Sequence, residues 1–211
     1  MDSFVDQGML NYPLLRDAPV NAQPFPYLVQ ADCIAQDALA GVLTDFPDID
    51  MPGSVPVSEL TGGPAFTNFI AELEGKRFRE LLEQKFAINL QDRPVVTTAR
   101  GLMREKDGRI HTDSRSKLIT VLMYFNQEWA HPGGRLRLLE NERSIDNYIT
   151  EVSPLAGTMV AFQVTDNCWH GHTPVTGKRL SLQLNYLVSK TAQSKHSFLH
   201  GLSAKVKKAF D

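Results

Sequence analysis

The distribution of apolar side chains changes period twice along this chain of 211 residues. Residues 1–30 hold Pro13, Pro19, Pro24 and Pro26 among Asn, Gln and Asp, a composition that opposes a continuous helix and predicts an extended N-terminal arm. From Asp32 the spacing of Ile34, Leu39, Val42, Leu43 and Phe46 predicts a one-faced helix, with Asp32 as its cap and Pro47 marking its end. Residues 48–64 have the Gly and Pro content of a loop, long enough to raise the question of a lid. Phe66, Phe69, Ile70, Leu73, Phe78, Leu81 and Leu82 restore the helical period, with a change of phase at Gly75 that predicts one kinked helix or two short ones.

Beyond Pro94 the period becomes that of strands. Val95–Thr98 are β-branched, Leu118–Phe125 is almost wholly apolar, Arg135–Leu139 alternates after Gly133-Gly134, and Gly157 introduces Thr158–Phe162. The segment 179–188 places Leu180, Leu182, Leu184, Tyr186 and Val188 on one face and Arg179, Ser181, Gln183 and Asn185 on the other. That polar face either meets water or lines a small barrel that holds a polar ligand. Helices followed by seven or eight strands predict a mainly β fold with N-terminal helices and a double-stranded β-helix (jelly-roll) core. We expect one domain over 1–211: the arm (1–30), supporting helices and loop (31–92), the jelly-roll core (93–190) and a C-terminal helix (191–211) that docks its apolar stripe and solvates its lysines.

A formal charge of −2 and a pI near 6.3 provide no global basic field, so neither nucleic acid nor an anionic membrane is an expected partner. The start of the chain lacks the features of a secretory or transit peptide. Cys33 and Cys168 have neither metal-finger spacing nor a disulfide framework, and a reducing, cytoplasmic setting is expected.

The candidate chemistry lies in two short motifs. Arg-Ile-His111-Thr-Asp113-Ser puts an imidazole and a carboxylate at i and i+2, on one side of an extended backbone, so both can converge on one ion. Trp169-His170-Gly-His172 supplies a second imidazole. Two His and one carboxylate form the facial ligand set that leaves the opposite positions of an iron ion open. His170 and His172 share a face if the segment is extended. His170 is chosen because Arg179 follows it by nine residues, and His172 is left to a supporting or pocket-wall role. Arg179, a planar fork of donors, suits the far carboxylate of a dicarboxylate chelating the same ion.

The ordered series His111-Thr-Asp113, Tyr124-Phe125-Asn126, Gly133-Gly134-Arg-Leu136, Pro154-Leu-Ala-Gly157, Trp169-His170 and Arg179-Leu-Ser181 resembles the 2-oxoglutarate, Fe(II)-dependent oxygenase superfamily, and within it the prolyl-hydroxylase-like branch. The resemblance implies Fe(II) held by His111, Asp113 and His170. It implies 2-oxoglutarate as cosubstrate, its distal carboxylate held by Arg179 with Tyr124 and Ser181. It also implies hydroxylation of an unactivated C–H bond with conversion of 2-oxoglutarate and O2 to succinate and CO2, ascorbate being a supporting reductant. Asp113 speaks against the halogenases of this superfamily, which lack the carboxylate.

The resemblance does not identify the substrate, which is expected to be a prolyl or other amino-acid or peptide group, or an anionic small molecule. The anionic option rests on Arg100, Arg104, Arg109, Arg115, Arg135 and Arg137, read as a cluster at the barrel mouth. Two alternatives remain: a non-catalytic jelly-roll binding protein, and a zinc-dependent hydrolase using the same ligand set. The sequence carries no reading of oligomeric state.

Overall fold

Residues 8–193 are described by a computed structural model. Four α-helices precede most of the strands: α1 (Tyr12–Asp17), α2 (Gln36–Thr44), α3 (Pro64–Leu73) and α4 (Lys76–Phe86). Among the described residues nine strands follow or interleave: β1 (Tyr27–Gln30), β2 (Val55–Pro56), β3 (Val95–Met103), β4 (Lys117–Tyr124), β5 (Leu136–Leu139), β6 (Tyr148–Val152), β7 (Met159–Gln163), β8 (His170–Gly171) and β9 (Gly177–Leu187). They form a six-stranded sheet in the order β1-β7-β4-β9-β3-β2 and a three-stranded sheet in the order β6-β5-β8. All paired strands run antiparallel. The architecture is the expected mainly β, double-sheet jelly roll with N-terminal helices.

Each sheet face has a distinct task, set by the two-residue alternation of its strands. On β4, Ile119, Val121 and Met123 turn outward and join Phe66, Phe69, Leu73, Phe78 and Leu82 of α3 and α4 in the larger core. On β9, Leu182, Leu184 and Tyr186 do the same. The opposite face of β4 carries Thr120, Leu122 and Tyr124, and that of β9 carries Arg179, Ser181 and Gln183; all six line a cavity between the sheets. The polar face of β9 therefore lines the barrel, and Arg179, Ser181 and Asn185 are buried there. A second core, with Phe25, Leu136, Leu138, Val160 and Phe162, fills the rest of the space inside.

Several local expectations need correction. The arm over 1–30 is not wholly extended where it is described. Asn11 accepts the Leu14 amide with its side chain and caps α1, whose first turn tolerates Pro13 because that position needs no amide donor. Tyr27–Gln30 then pairs with β7 as an edge strand. Asp32 does not cap α2: it has a φ of 55°, and the N-cap is Ala35. Within the loop 48–64, Val55–Pro56 pairs with Ala99 and Thr98 of β3. Gly75 separates α3 from α4 as the N-cap of the latter, so the second helical stripe is two helices. The helix expected over 191–211 lies outside the described residues apart from its first three positions.

Candidate metal and cosubstrate site

His111, Asp113 and His170 each present a ligand atom within 4.8 Å of the other two. They come from different places. His111 lies not in a regular strand but in an isolated bridge to His170, with their amides and carbonyls exchanging hydrogen bonds of 3.0 Å. That bridge brings the imidazole centroids to 4.3 Å. Arg137 and Leu138 of β5 pair with β8 and fix its register, and the Phe162 ring packs against the His170 ring at 5.0 Å.

Both imidazoles are oriented for ligation. The Nδ1 atom of His111 lies 2.8 Å from the Arg109 carbonyl, and that of His170 lies 2.8 Å from the Cys168 carbonyl. A carbonyl can only accept, so both Nδ1 atoms carry the proton and both Nε2 lone pairs remain for a metal. Burial, with the neighbouring His111 ring, lowers His170 to about 4, which keeps it neutral at physiological pH. Burial alone would raise the Asp113 pKa, but Lys117 at 2.8 Å, the His170 ring and the donated Thr120 hydroxyl hold it below the usual carboxylate range. Thr120 also lies 3.0 Å from the Asn185 side chain, so a buried polar chain stands behind the carboxylate. Two imidazoles and one oriented carboxylate, with His111 open to solvent, fit a divalent ion that needs exchangeable positions.

Beside this cluster the cavity, of about 130 Å³, contains Arg179, Tyr124 and Ser181. The Arg179 Nε–H donates to the Gly134 carbonyl at 2.8 Å, and its Cζ lies 4.9 Å from the Tyr124 ring centroid. The Tyr124 hydroxyl is buried with no hydrogen-bond partner among the described residues. A buried phenol without a partner costs free energy unless a ligand supplies one. Next to a guanidinium, the chemistry that satisfies it is an anion's oxygen. The pair fits the distal carboxylate of 2-oxoglutarate.

His172 does not join the three converging groups. Its amide donates to the Gly108 carbonyl at 2.8 Å and its Nδ1 lies 2.8 Å from the Thr173 carbonyl. Its ring stands between the inner cavity and a wider outer one of about 660 Å³, both of which it lines with Gly108.

The expected arginine cluster at the barrel mouth does not form. Arg137 pairs with Glu151 and Asp146 at 2.7 Å each, Arg135 lies 4.0 Å from Glu151, and Arg115 pairs with Asp166. Arg104 pairs with Asp107 and lines the outer cavity with Arg109. Of the six, Arg100 alone lines the inner cavity. Sequence reasoning did not single out Lys117 and Thr120. Thr120 had a signal: it shares strand parity with Tyr124, a polar residue on the inward face of an apolar strand.

Residues 101–187 match the family model described as the 2OG-Fe(II) oxygenase superfamily. In fold the chain is similar to a prolyl-4-hydroxylase of Pseudomonas putida, with 18% identity over 78% of this chain and 93% of that one and a TM-score of 0.57. It is similar to a viral collagen prolyl hydroxylase of Paramecium Bursaria Chlorella virus-1, with 13% identity over 77% of this chain and 96% of that one and a TM-score of 0.50. A prolyl 4-hydroxylase from Phytophthora capsici gives 17% identity over 79% of this chain and 60% of that one, with a TM-score of 0.51. A comparison with curated proteins finds no match.

Proposed function

We propose that this chain, whose residues 101–187 match the 2OG-Fe(II) oxygenase superfamily model, is a hydroxylase that inserts one oxygen atom of O2 into an unactivated C–H bond. One substrate C–H, one O2 and one 2-oxoglutarate give one C–OH, one succinate and one CO2. The observation that carries this reading is the convergence of His111, Asp113 and His170 within 4.8 Å beside a buried Arg179 and an unpartnered Tyr124 hydroxyl.

Bound Fe(II) and 2-oxoglutarate supply the activation of O2 and the electrons for its reduction. The protein's part is to bind and orient. His111 and His170 offer Nε2 lone pairs because backbone carbonyls hold their Nδ1 protons. Asp113 supplies the charge, held in one rotamer by Lys117 and Thr120. Arg179, Tyr124 and Ser181 would hold the distal carboxylate of the keto acid and so orient it in the cavity. Leu122, Leu136 and Met103 form the apolar part of the cavity wall.

Asp113 favours hydroxylation over halogenation, since it occupies the position a halide would take. Among the described residues no helix is long and apolar enough to cross a membrane. Ferrous iron and two free, buried thiols suit a reducing compartment, and we place the enzyme in the cytoplasm.

The test is succinate release from 2-oxoglutarate in air with Fe(II) and ascorbate, for the wild type and for His111→Ala, Asp113→Ala, His170→Ala and His172→Ala. Background succinate release that fails in the first three variants and survives in His172→Ala supports the reading. Loss of iron from His172→Ala but not from His170→Ala overturns the ligand assignment. Indifference to 2-oxoglutarate, with zinc-supported hydrolysis, replaces the reading with a hydrolase.

A further inference from the structure

One charge in the inner cavity has no task in the reaction described above. Arg100 projects from β3, next to a bulge between Arg100 and Leu102 that interrupts its pairing with β9. It is half-buried, and its guanidinium meets only weak partners: Nη1 reaches the Met103 sulfur at 3.8 Å and Nη2 the Ser54 hydroxyl at 3.2 Å. Neither neutralises a cation, and among the described residues no carboxylate lies within ion-pair distance of it. The acid whose charge it feels, Asp107, is taken by Arg104 through its Nη2 at 3.1 Å and its backbone amide at 2.9 Å. Burial, with Arg179 and Arg104 nearby, lowers the pKa of Arg100, the sign of a cation in a place that does not favour one.

The charges around the cavity sharpen the point. Among the residues lining the cavity, Arg100 and Arg179 are cationic and Asp113 is the one carboxylate, and Asp113 is already paired with Lys117. The dicarboxylate cosubstrate answers Arg179 and the metal, which leaves Arg100 in surplus. A desolvated, unpaired cation is costly, and an evolved site accepts that cost where a ligand brings the counter-charge. Its two terminal nitrogens meet a thioether and a hydroxyl, both readily displaced, and a planar fork of this kind matches the two oxygens of a carboxylate.

We propose that Arg100 anchors the carboxylate of a small acidic primary substrate, so that the enzyme hydroxylates a free acid rather than a neutral internal residue of a polypeptide. The inference rests on the oxygenase reading above. The inner cavity also takes the cosubstrate, so only a compact acidic group fits beside Arg100, and the wider cavity beyond His172 provides room for the rest of the molecule. Arg100 is thus a specificity-determining residue, and its removal leaves cosubstrate binding intact.

The experiment uses Mn(II), which does not turn over, in the whole protein with 2-oxoglutarate, and records the paramagnetic relaxation of probe protons by NMR. The probes are propionate, isobutyrate and L-proline, each beside its amide. Wild-type protein is expected to relax the acids far more than the amides. Arg100→Gln is expected to weaken that effect by roughly 10–100-fold, the usual loss when a charged hydrogen bond is removed, while relaxation of 2-oxoglutarate itself persists and reports an intact site. Arg100→Lys is expected to keep part of the preference. Equal relaxation of acids and amides, acids relaxed equally in Arg100→Gln, or no acid relaxed in a protein that still relaxes 2-oxoglutarate would each overturn the proposal. Failure to relax 2-oxoglutarate would bring down the oxygenase reading and this inference with it.

Discussion

Replacing Tyr124 with Phe separates what the hydroxyl costs the fold from what it gives to binding. In the ligand-free protein that hydroxyl is buried and has no partner. Leaving such a group unsatisfied costs about 1–3 kcal/mol, whereas the ring it sits on is fully buried and packs with Leu136 and Val160 in the inner core. Phe keeps the ring, its packing and its contact with the Arg179 guanidinium at 4.9 Å. Tyr124→Phe should therefore stabilise the apoprotein by about 1 kcal/mol, a Tm rise of roughly 2–4 °C for a chain of this size. Its effect on 2-oxoglutarate has the opposite sign: one hydrogen bond to a carboxylate, worth about 1.5–3 kcal/mol, corresponds to roughly 10–100-fold weaker binding. Urea denaturation of the apoprotein and anaerobic 2-oxoglutarate titration of the Fe(II) form measure the two halves. A variant that is less stable, or that binds the cosubstrate as tightly as wild type, would refute the assignment of Tyr124 to the carboxylate.

Thr120→Val removes the hydroxyl that donates to Asp113 and should weaken Fe(II) binding by roughly 10–100-fold, with the fold retained; unchanged affinity in a metal titration would show that Asp113 needs no such support. Burial raises Cys33 to about 12, so above its unfolded value near 8.5 the unfolded chain sheds a proton that the folded chain keeps. Stability should fall by about 1.4 kcal/mol per pH unit from this group as pH rises from about 9 toward 12, and a disulfide reagent at pH 8 should react slowly with both thiols until urea is added. Rapid labelling of native protein would contradict this burial. Gly108 has a φ of +83°, and a Cβ there would lie 2.1 Å from the His172 ring. Gly108→Ala should cost about 1–3 kcal/mol and lower Tm, and an unchanged Tm would show that the two cavities are not separated as described.

The parts of the molecule that the sequence made legible are those where local pattern and tertiary role coincide. The strict alternation of 179–188 survives because β9 is buried on both faces, one against helices and one against the cavity. The His111 and Asp113 pair was legible because i and i+2 share a side, although a bridge rather than a strand holds it. Strand β8 has only two residues and no periodicity to read, yet it positions His170 through pairing with β5. Strand β6 escaped notice because Tyr148 and Ile149 are exposed and its inward pattern is short. The arginines misled because alternation and local acids decide their fate: Arg135, just before β5, and Arg137 on it both meet Glu151 of β6, while Arg100 faces the inner cavity. Sequence spacing reveals charge density, and only the fold reveals which charges lack a partner.

The most direct measurement is anaerobic addition of Fe(II) and then 2-oxoglutarate to the purified protein, followed by visible absorption, with His170→Ala and Arg179→Ala beside the wild type. The account predicts a metal-to-ligand charge-transfer band in the wild type that fails in both variants at matched concentrations, because one lacks a metal ligand and the other the grip on the distal carboxylate. A folded, iron-bound wild-type protein that gives no band would contradict it.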